Sequence, residues 1–185
     1  MDSLMAALVA ALLIRATDPS ADVVAVTAER SGRTGTVLLG TLIALIVTQS
    51  VAAAGGFFIG PHLAPNAQRL FLAFALLAAA SGAIWPAKTK PGEAVGHPFL
   101  RVVTRLILGG WTGRSEFVTF AVAVGGTAAL AGIGGFIGSF VVLAAVAVAG
   151  EALWITRPRR AMDWTIGGVL AIAGAWLALS ALRLI

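Results

Sequence analysis

The segment Arg15-Ala-Thr-Asp-Pro-Ser-Ala-Asp22 interrupts an apolar run over residues 4–28, and Gly109-Gly-Trp-Thr-Gly-Arg-Ser-Glu116 interrupts a second run over 99–124. Asp18, Asp22 and Glu116 therefore stand in sequence that otherwise reads as lipid-facing. On insertion scales a charged residue at the centre of a spanning helix costs roughly 2.5–3.5 kcal/mol. Three carboxylates at that depth require a water-filled cavity, partner charges or a bound cation. Pro19 removes a backbone donor from the first segment. Gly109, Gly110 and Gly113 weaken the second at the corresponding place. Interrupted helices at matching points of two halves are the best sequence pointer to a transport site. Non-helical backbone at that depth is tolerated only where it lines protein or a cavity.

The rest of the chain agrees with a bilayer setting. Its 185 residues are 59% apolar and only 11% charged, and the mean hydropathy is +0.96. Soluble domains carry roughly 25% charged residues. A spanning helix takes about 20 residues, so six spans with short loops fill this length and leave no room for a soluble catalytic domain. The net charge of +5 sits in short loops between apolar runs, which is a topology signal. No basic and aromatic residues alternate as on a nucleic-acid face, so no nucleic-acid partner is expected. Cysteine is absent, and His62 and His97 both fall in expected loops. With no nucleophile–base pair and no metal–histidine set, the chain is not expected to be an enzyme or to hold a tight cofactor. The apolar stretch 4–14 follows Asp2 without Lys or Arg, so it reads as the start of a first span rather than a cleaved signal.

The expected fold is all-α, a polytopic membrane protein with spans over residues 4–28, 36–60, 70–85, 99–124, 128–154 and 164–182. Residues 118–150 carry no charge and are too long for one span, so Gly125-Gly126-Thr127 reads as a tight turn. Arg30, Arg33, Lys88, Lys90, Arg101, Arg157, Arg159 and Arg160 fall in three loops on one side, against Arg69 and Arg183 on the other. The positive-inside rule puts those loops in the cytoplasm and both termini outside, as in a bacterial inner membrane. Trp85, Trp154 and Trp164 lie at span ends, where aromatic anchors belong. An internal repeat runs at an offset of 95 residues: Leu13 and Leu108, Thr17 and Thr112, Ser20 and Ser115, Val23 and Val118, Gly40 and Gly135, Gly55 and Gly150. The organisation read from it is a first three-helix repeat over 1–86, a cytoplasmic linker over 87–98 and a second three-helix repeat over 99–185. Three spans per half make the second half enter upside down, an inverted-topology repeat.

The candidate site follows from the two interruptions. Asp18, Asp22 and Glu116 are the expected metal ligands and proton carriers. Thr17, Ser20, Thr112 and Ser115 add hydroxyl oxygens, with Arg15 and Arg114 as charge partners. Asp18 and Asp22, four apart, share a helix face if Pro19 leaves the turn intact. Hard cations such as calcium or manganese prefer such oxygens, and a buried carboxylic acid can also carry a proton. The same residues admit a structural reading. Asp18 caps a helix starting at Pro19, Arg15 neutralises Asp18 across a turn, and Glu116 sits near the interface beside a snorkelling Arg114. Thr48 and Gln49 either face the site or bond between helices. Gly134 and Gly138 form a small-xxx-small pair suited to close packing within the chain or, less expected, to a homodimer. Asp163 reads as the cap of the last span, and Trp176 as a packing residue.

At the two interruptions the chain resembles the Gdt-type family of manganese/calcium–proton exchangers, which carry E-x-G-D-K-[ST] in the first helix of each of two three-helix halves. The resemblance also takes in Thr36-Val-Leu-Leu-Gly40 and Arg69-Leu-Phe-Leu-Ala-Phe74, and it covers nearly the whole chain as a spacing pattern. In the first copy Asp18 and Ser20 match, whereas Arg15, Thr17 and Pro19 replace Glu, Gly and Lys. In the second copy Ser115 matches and Arg114 replaces Lys, while Gly110, Thr112 and Gly113 replace Glu, Gly and Asp. The resemblance implies an exchanger of manganese or calcium against protons. The three acids and two arginines leave a net charge of −1, weaker than an intact four-acid site. Amino-acid exporters of the LysE type have a similar three-plus-three plan, so the alternatives are export of a small organic solute or a relative that does not transport.

Overall fold

A computed structural model describes residues 2–85, 97–110, 113–155 and 158–182. Its regular structure is helical throughout: α1 Asp2–Ala16, α2 Pro19–Ser31, α3 Thr34–Ile59, α4 Pro65–Ile84, α5 Pro98–Gly110, α6 Arg114–Gly125, α7 Ala128–Ile155 and α8 Arg159–Ala181, with a 3-10 turn at Gly60–His62. Local chemistry sets most of the boundaries. Pro19 and Pro65 occupy first-turn positions, where a missing N–H costs nothing. Gly32 closes α2 in the left-handed region, its N–H bonded to the carbonyls of Ala28 and Glu29. The turn between α6 and α7 falls at Gly126-Thr127, as the glycine pair indicates.

Several long apolar helices mark a membrane-embedded protein. Four are long and apolar enough to cross a bilayer, Thr34–His62, Pro65–Ile84, Ala128–Glu151 and Arg159–Ala181, and a fifth span arises if α1 and α2, bent by 65°, form one. Among the described residues four to five candidate spans thus stand beside the six expected. The two expected spans that contain the acids are each divided into a pair of short helices. At 13 and 12 residues, α5 and α6 are each well short of the ~20 needed to cross alone. The helices after each break start at Pro19 and Arg114, and their successors at Thr34 and Ala128, then Pro65 and Arg159. The first pair of starts is 95 residues apart and the other two pairs are 94 apart. Most of the expected linker, residues 87–96, lies outside the described residues, as do Arg157 and Arg183.

Helices from the N-terminal and C-terminal parts of the described chain interleave rather than stand apart. Helix α1 packs on α7 and α5 on α3, α2 packs on α7 and α6 on α3, and α4 lies along α8. One core gathers Ala7, Ile14, Leu76, Ala79, Val118, Ala121, Ala131 and Leu170. The other gathers Ala21, Val24, Val37, Leu45, Val102, Leu106, Leu143 and Val146. Glycine makes the crossings close: a Cβ on Gly56 would meet the Ala123 Cβ at 2.4 Å, and one on Gly60 would meet the Val124 carbonyl oxygen at 2.7 Å.

Two expectations at α8 are corrected. The helix begins at Arg159, directly after Pro158, so Asp163 lies inside it and does not cap it. Trp176 is 65% exposed and faces outward instead of packing. Within α7, Gly150 adopts φ 77°, ψ 175°, a region essentially closed to other residues. Gly150→Ala is expected to cost about 1–3 kcal/mol, since its Cβ would also stand 3.0 Å from Glu29 Oε2. Gly35→Ala, on a helix with nothing within 4 Å, should be neutral or stabilising. Chemical denaturation in detergent compares the two, and equal effects would refute the strain at Gly150.

Candidate functional site

Both interruptions open into the same interior. Helix α1 ends at Ala16, and Asp18 takes an extended conformation as the N-cap of α2, its Oδ1 accepting from the Ser20 N–H at 2.8 Å. Helix α6 opens at Arg114 after Gly113, an N-cap with no side-chain cap bond, and Glu116 lies in its first turn. Acids belong at helix N-termini and a cation at a C-terminus, so Asp18, Glu116 and Arg15 each complement a local dipole.

Arg15 is the organising side chain. It is 3% exposed, and its fork reaches three elements at once. Nη2 pairs with Glu116 Oε1, Nη1 donates to Ser20 Oγ at 3.0 Å, and Nε donates to Ser139 Oγ at 3.3 Å. Nη1 is also 4.0 Å from Asp18 Oδ1. Arg114 flanks Asp18 from the other side, with Nη2 3.8 Å from Oδ2, and donates from the same nitrogen to the Thr17 carbonyl at 3.0 Å. It passes over Gly82 of α4, where a Cβ would lie 2.6 Å from Arg114 Cδ. The charges thus alternate, Glu116–Arg15–Asp18–Arg114, and the quartet sums to zero.

Hydroxyls and an amide continue the network. Thr48 Oγ1 donates to Glu116 Oε1 at 3.4 Å, Gln49 Nε2 donates to Ser139 Oγ at 3.5 Å, and Ser115 and Ser139 hydroxyls lie 3.2 Å apart. Among the described residues three buried polar side-chain atoms have no partner: Glu116 Oε2, Arg114 Nη1 and Gln49 Oε1. Buried polar groups are normally satisfied, so these atoms stand out within the network.

Of the residues singled out in the sequence, Arg15, Asp18, Ser20, Arg114, Ser115 and Glu116 come together. Asp22 does not. It lies one turn further along α2 and takes bonds from Trp154 Nε1 at 2.8 Å and from Arg159. The three acids are therefore not one ligand set, and among the described residues no group of three or more acids or histidines could hold a metal. Thr17 turns its hydroxyl back to the Ile14 carbonyl at 3.0 Å and offers the site only its backbone oxygen. Thr112 lies outside the described residues. Trp154, expected as an interfacial anchor, turns its indole inward to Asp22. Asp18 does cap α2, and Arg15 does stand beside it, as the structural reading expected. Ser139 escaped sequence reasoning. Its one signal is that no other hydroxyl occurs in the apolar stretch 128–150.

Comparison with protein-family models, with curated proteins and with solved structures finds no match. The functional reading therefore rests on this geometry.

Proposed function

We propose that the chain is a secondary transporter of a small zwitterionic solute, one carrying a carboxylate and an ammonium group. The observation that carries this reading is the buried, net-neutral quartet in which one donor, Arg114 Nη1, and one carboxylate oxygen, Glu116 Oε2, are both without partners. The donor suits a carboxylate, the acceptor suits an ammonium, and a solute bearing both leaves the charge of the site unchanged. A divalent cation would instead enter beside two guanidinium groups that neither ligate metal nor lose their charge. In this reading the two halves are inverted three-helix repeats around the quartet, in a cytoplasmic membrane with both termini outside. The recurrence of helix starts, and the exchange of partners between α1 on α7 and α5 on α3, support that plan. The Gdt-type resemblance then bears on the scaffold, and exchange of manganese or calcium against protons is the competing proposal.

The two are separated by thermal denaturation of the purified protein in detergent. Alanine, serine or leucine at millimolar concentration should raise the melting temperature by several degrees, since a ligand at a hundred times its Kd adds about 2.7 kcal/mol. Arg114→Gln and Glu116→Gln should each abolish the rise. Stabilisation by manganese alone would replace this proposal with the cation one, and indifference to both ligands would leave a bundle without this cargo.

A further inference from the structure

A second cluster of charge lies one helical turn beyond the quartet and serves none of its contacts. Asp22 accepts from Trp154 Nε1 at 2.8 Å, and Arg159 grips both its oxygens, one of them from Nη1 at 3.1 Å. Two turns on, Glu29 Oε2 accepts the backbone N–H of Glu151, and Arg30 Nε stands 3.8 Å from Glu151 Oε2. Every one of these contacts joins α2 to Glu151 or Trp154 near the end of α7, or to Arg159 at the start of α8. Glu151 and Trp154 follow Gly150, whose backbone leaves the helix in a conformation reserved for glycine.

The cluster has no counterpart at the other end of the repeat. At the 95-residue offset, Asp22, Glu29, Trp154 and Arg159 correspond to Phe117, Val124, Ile59 and Ala64. There the crossing is apolar and close, with Gly55 and Gly56 of α3 against Phe120 and Ala123 of α6. One end is thus locked by packing. The other is held by ion pairs whose side chains are 32% exposed at Asp22 and 42% at Arg159. Ion pairs that water reaches are weak and break readily, whereas close glycine packing does not.

We infer that Asp22, Trp154 and Arg159 form a one-sided gate, hinged at Gly150, which closes the route from the α8 N-terminal face to the charge quartet. The inference rests on the transporter reading for its purpose, but the gate has its own observable. Because the chain contains no cysteine, single reporters are clean. Ser115→Cys places a thiol at a position 1% exposed beside Ser139, which the quartet's Arg15 bonds, and Ala79→Cys places one at 2% exposure in an apolar core.

In vesicles of defined orientation, a membrane-impermeant thiosulfonate added on the Arg159 side should label Ser115→Cys slowly. Asp22→Asn or Arg159→Gln should speed that labelling at least about tenfold and leave Ala79→Cys unchanged. The exchanged pair Asp22→Arg with Arg159→Asp should return the rate toward the parent. A rate unmoved by either single change overturns the gate, as does an equal rise at Ala79→Cys or a failure of the exchanged pair to slow labelling. Protection of Ser115→Cys by added alanine reports on the cargo separately, so a gate without a zwitterion and a zwitterion site without a gate give different results.

Discussion

Arg15→Met is expected to destabilise the folded chain by about 3–5 kcal/mol, the usual cost of stripping one partner from a buried ion pair. The guanidinium is 3% exposed and serves Glu116, Ser20 and Ser139 from three different nitrogens. Methionine fills a similar volume but leaves the Glu116 carboxylate, already short of a partner at Oε2, with only the Thr48 hydroxyl at 3.4 Å. Lysine should fare little better, because a single ammonium cannot reach three acceptors arranged for a planar fork. The decisive comparison is the double change Arg15→Met with Glu116→Gln. It removes both charges and should recover most of the loss, giving a coupling energy well above experimental error in a double-mutant cycle. Denaturant titration in detergent measures all three. A cost below about 1 kcal/mol for Arg15→Met, the range of a solvated pair, would mean that the quartet is open to water and that Arg15 does not hold the two breaks together.

The neutrality of that quartet is what moves the functional reading. Counted along the sequence, three acids face two arginines and the site is negative. Counted in space, Asp22 leaves to meet Arg159, and Arg15 and Arg114 balance Asp18 and Glu116. In the proposed reading, zero net charge with a donor and an acceptor each unpartnered favours a solute with both signs over a bare cation. The charges also sit where both helix breaks converge, so any rearrangement of α1 against α2, or α5 against α6, must reshuffle their partners.

What was legible in the sequence, and what was not, follows from how local each cause is. The breaks were readable because Pro19 and the glycines at 109, 110 and 113 act through their own backbone. Both breaks appear as helix ends, at Ala16 and Gly110, followed by new starts at Pro19 and Arg114. The Asp18–Asp22 pairing failed for an equally local reason. The four-residue rule holds along a continuous helix, but Asp18 has φ −85° and ψ 136° and folds its carboxylate back over the Ser20 N–H. Ser139 and Trp176 were unreadable because α7 and α8 are apolar on most sides, which gives no period to say which face meets the protein. Asp163 misled because an acid before an apolar run resembles a cap, whereas Pro158 starts the helix earlier.

The glycine pair of α7 carries the other large effect. Gly134→Ala would put a Cβ 2.2 Å from the Leu4 carbonyl oxygen, and Gly138→Ala would put one 2.5 Å from the Leu8 carbonyl oxygen. Both obstacles are backbone, so no rotamer relieves them, and α1 must move away from α7. Overpacking typically costs about 1–3 kcal/mol per site, so the pair together should cost about 2–6 kcal/mol if the sites add. Gly168→Ala, with nothing within 4 Å, is the matched control and should be silent. The consequence reaches the site: α1 delivers Arg15 from its last turn and α7 delivers Ser139, so forcing the two helices apart pulls the guanidinium from its hydroxyl. The double alanine variant should therefore lose ligand-induced stabilisation as well as intrinsic stability, although neither glycine touches the quartet's charges. If its unfolding were unchanged while a dimeric chain became monomeric by light scattering, the small residues would be serving a contact between chains, and the close seating of α1 on α7 would not be what holds Arg15 in place.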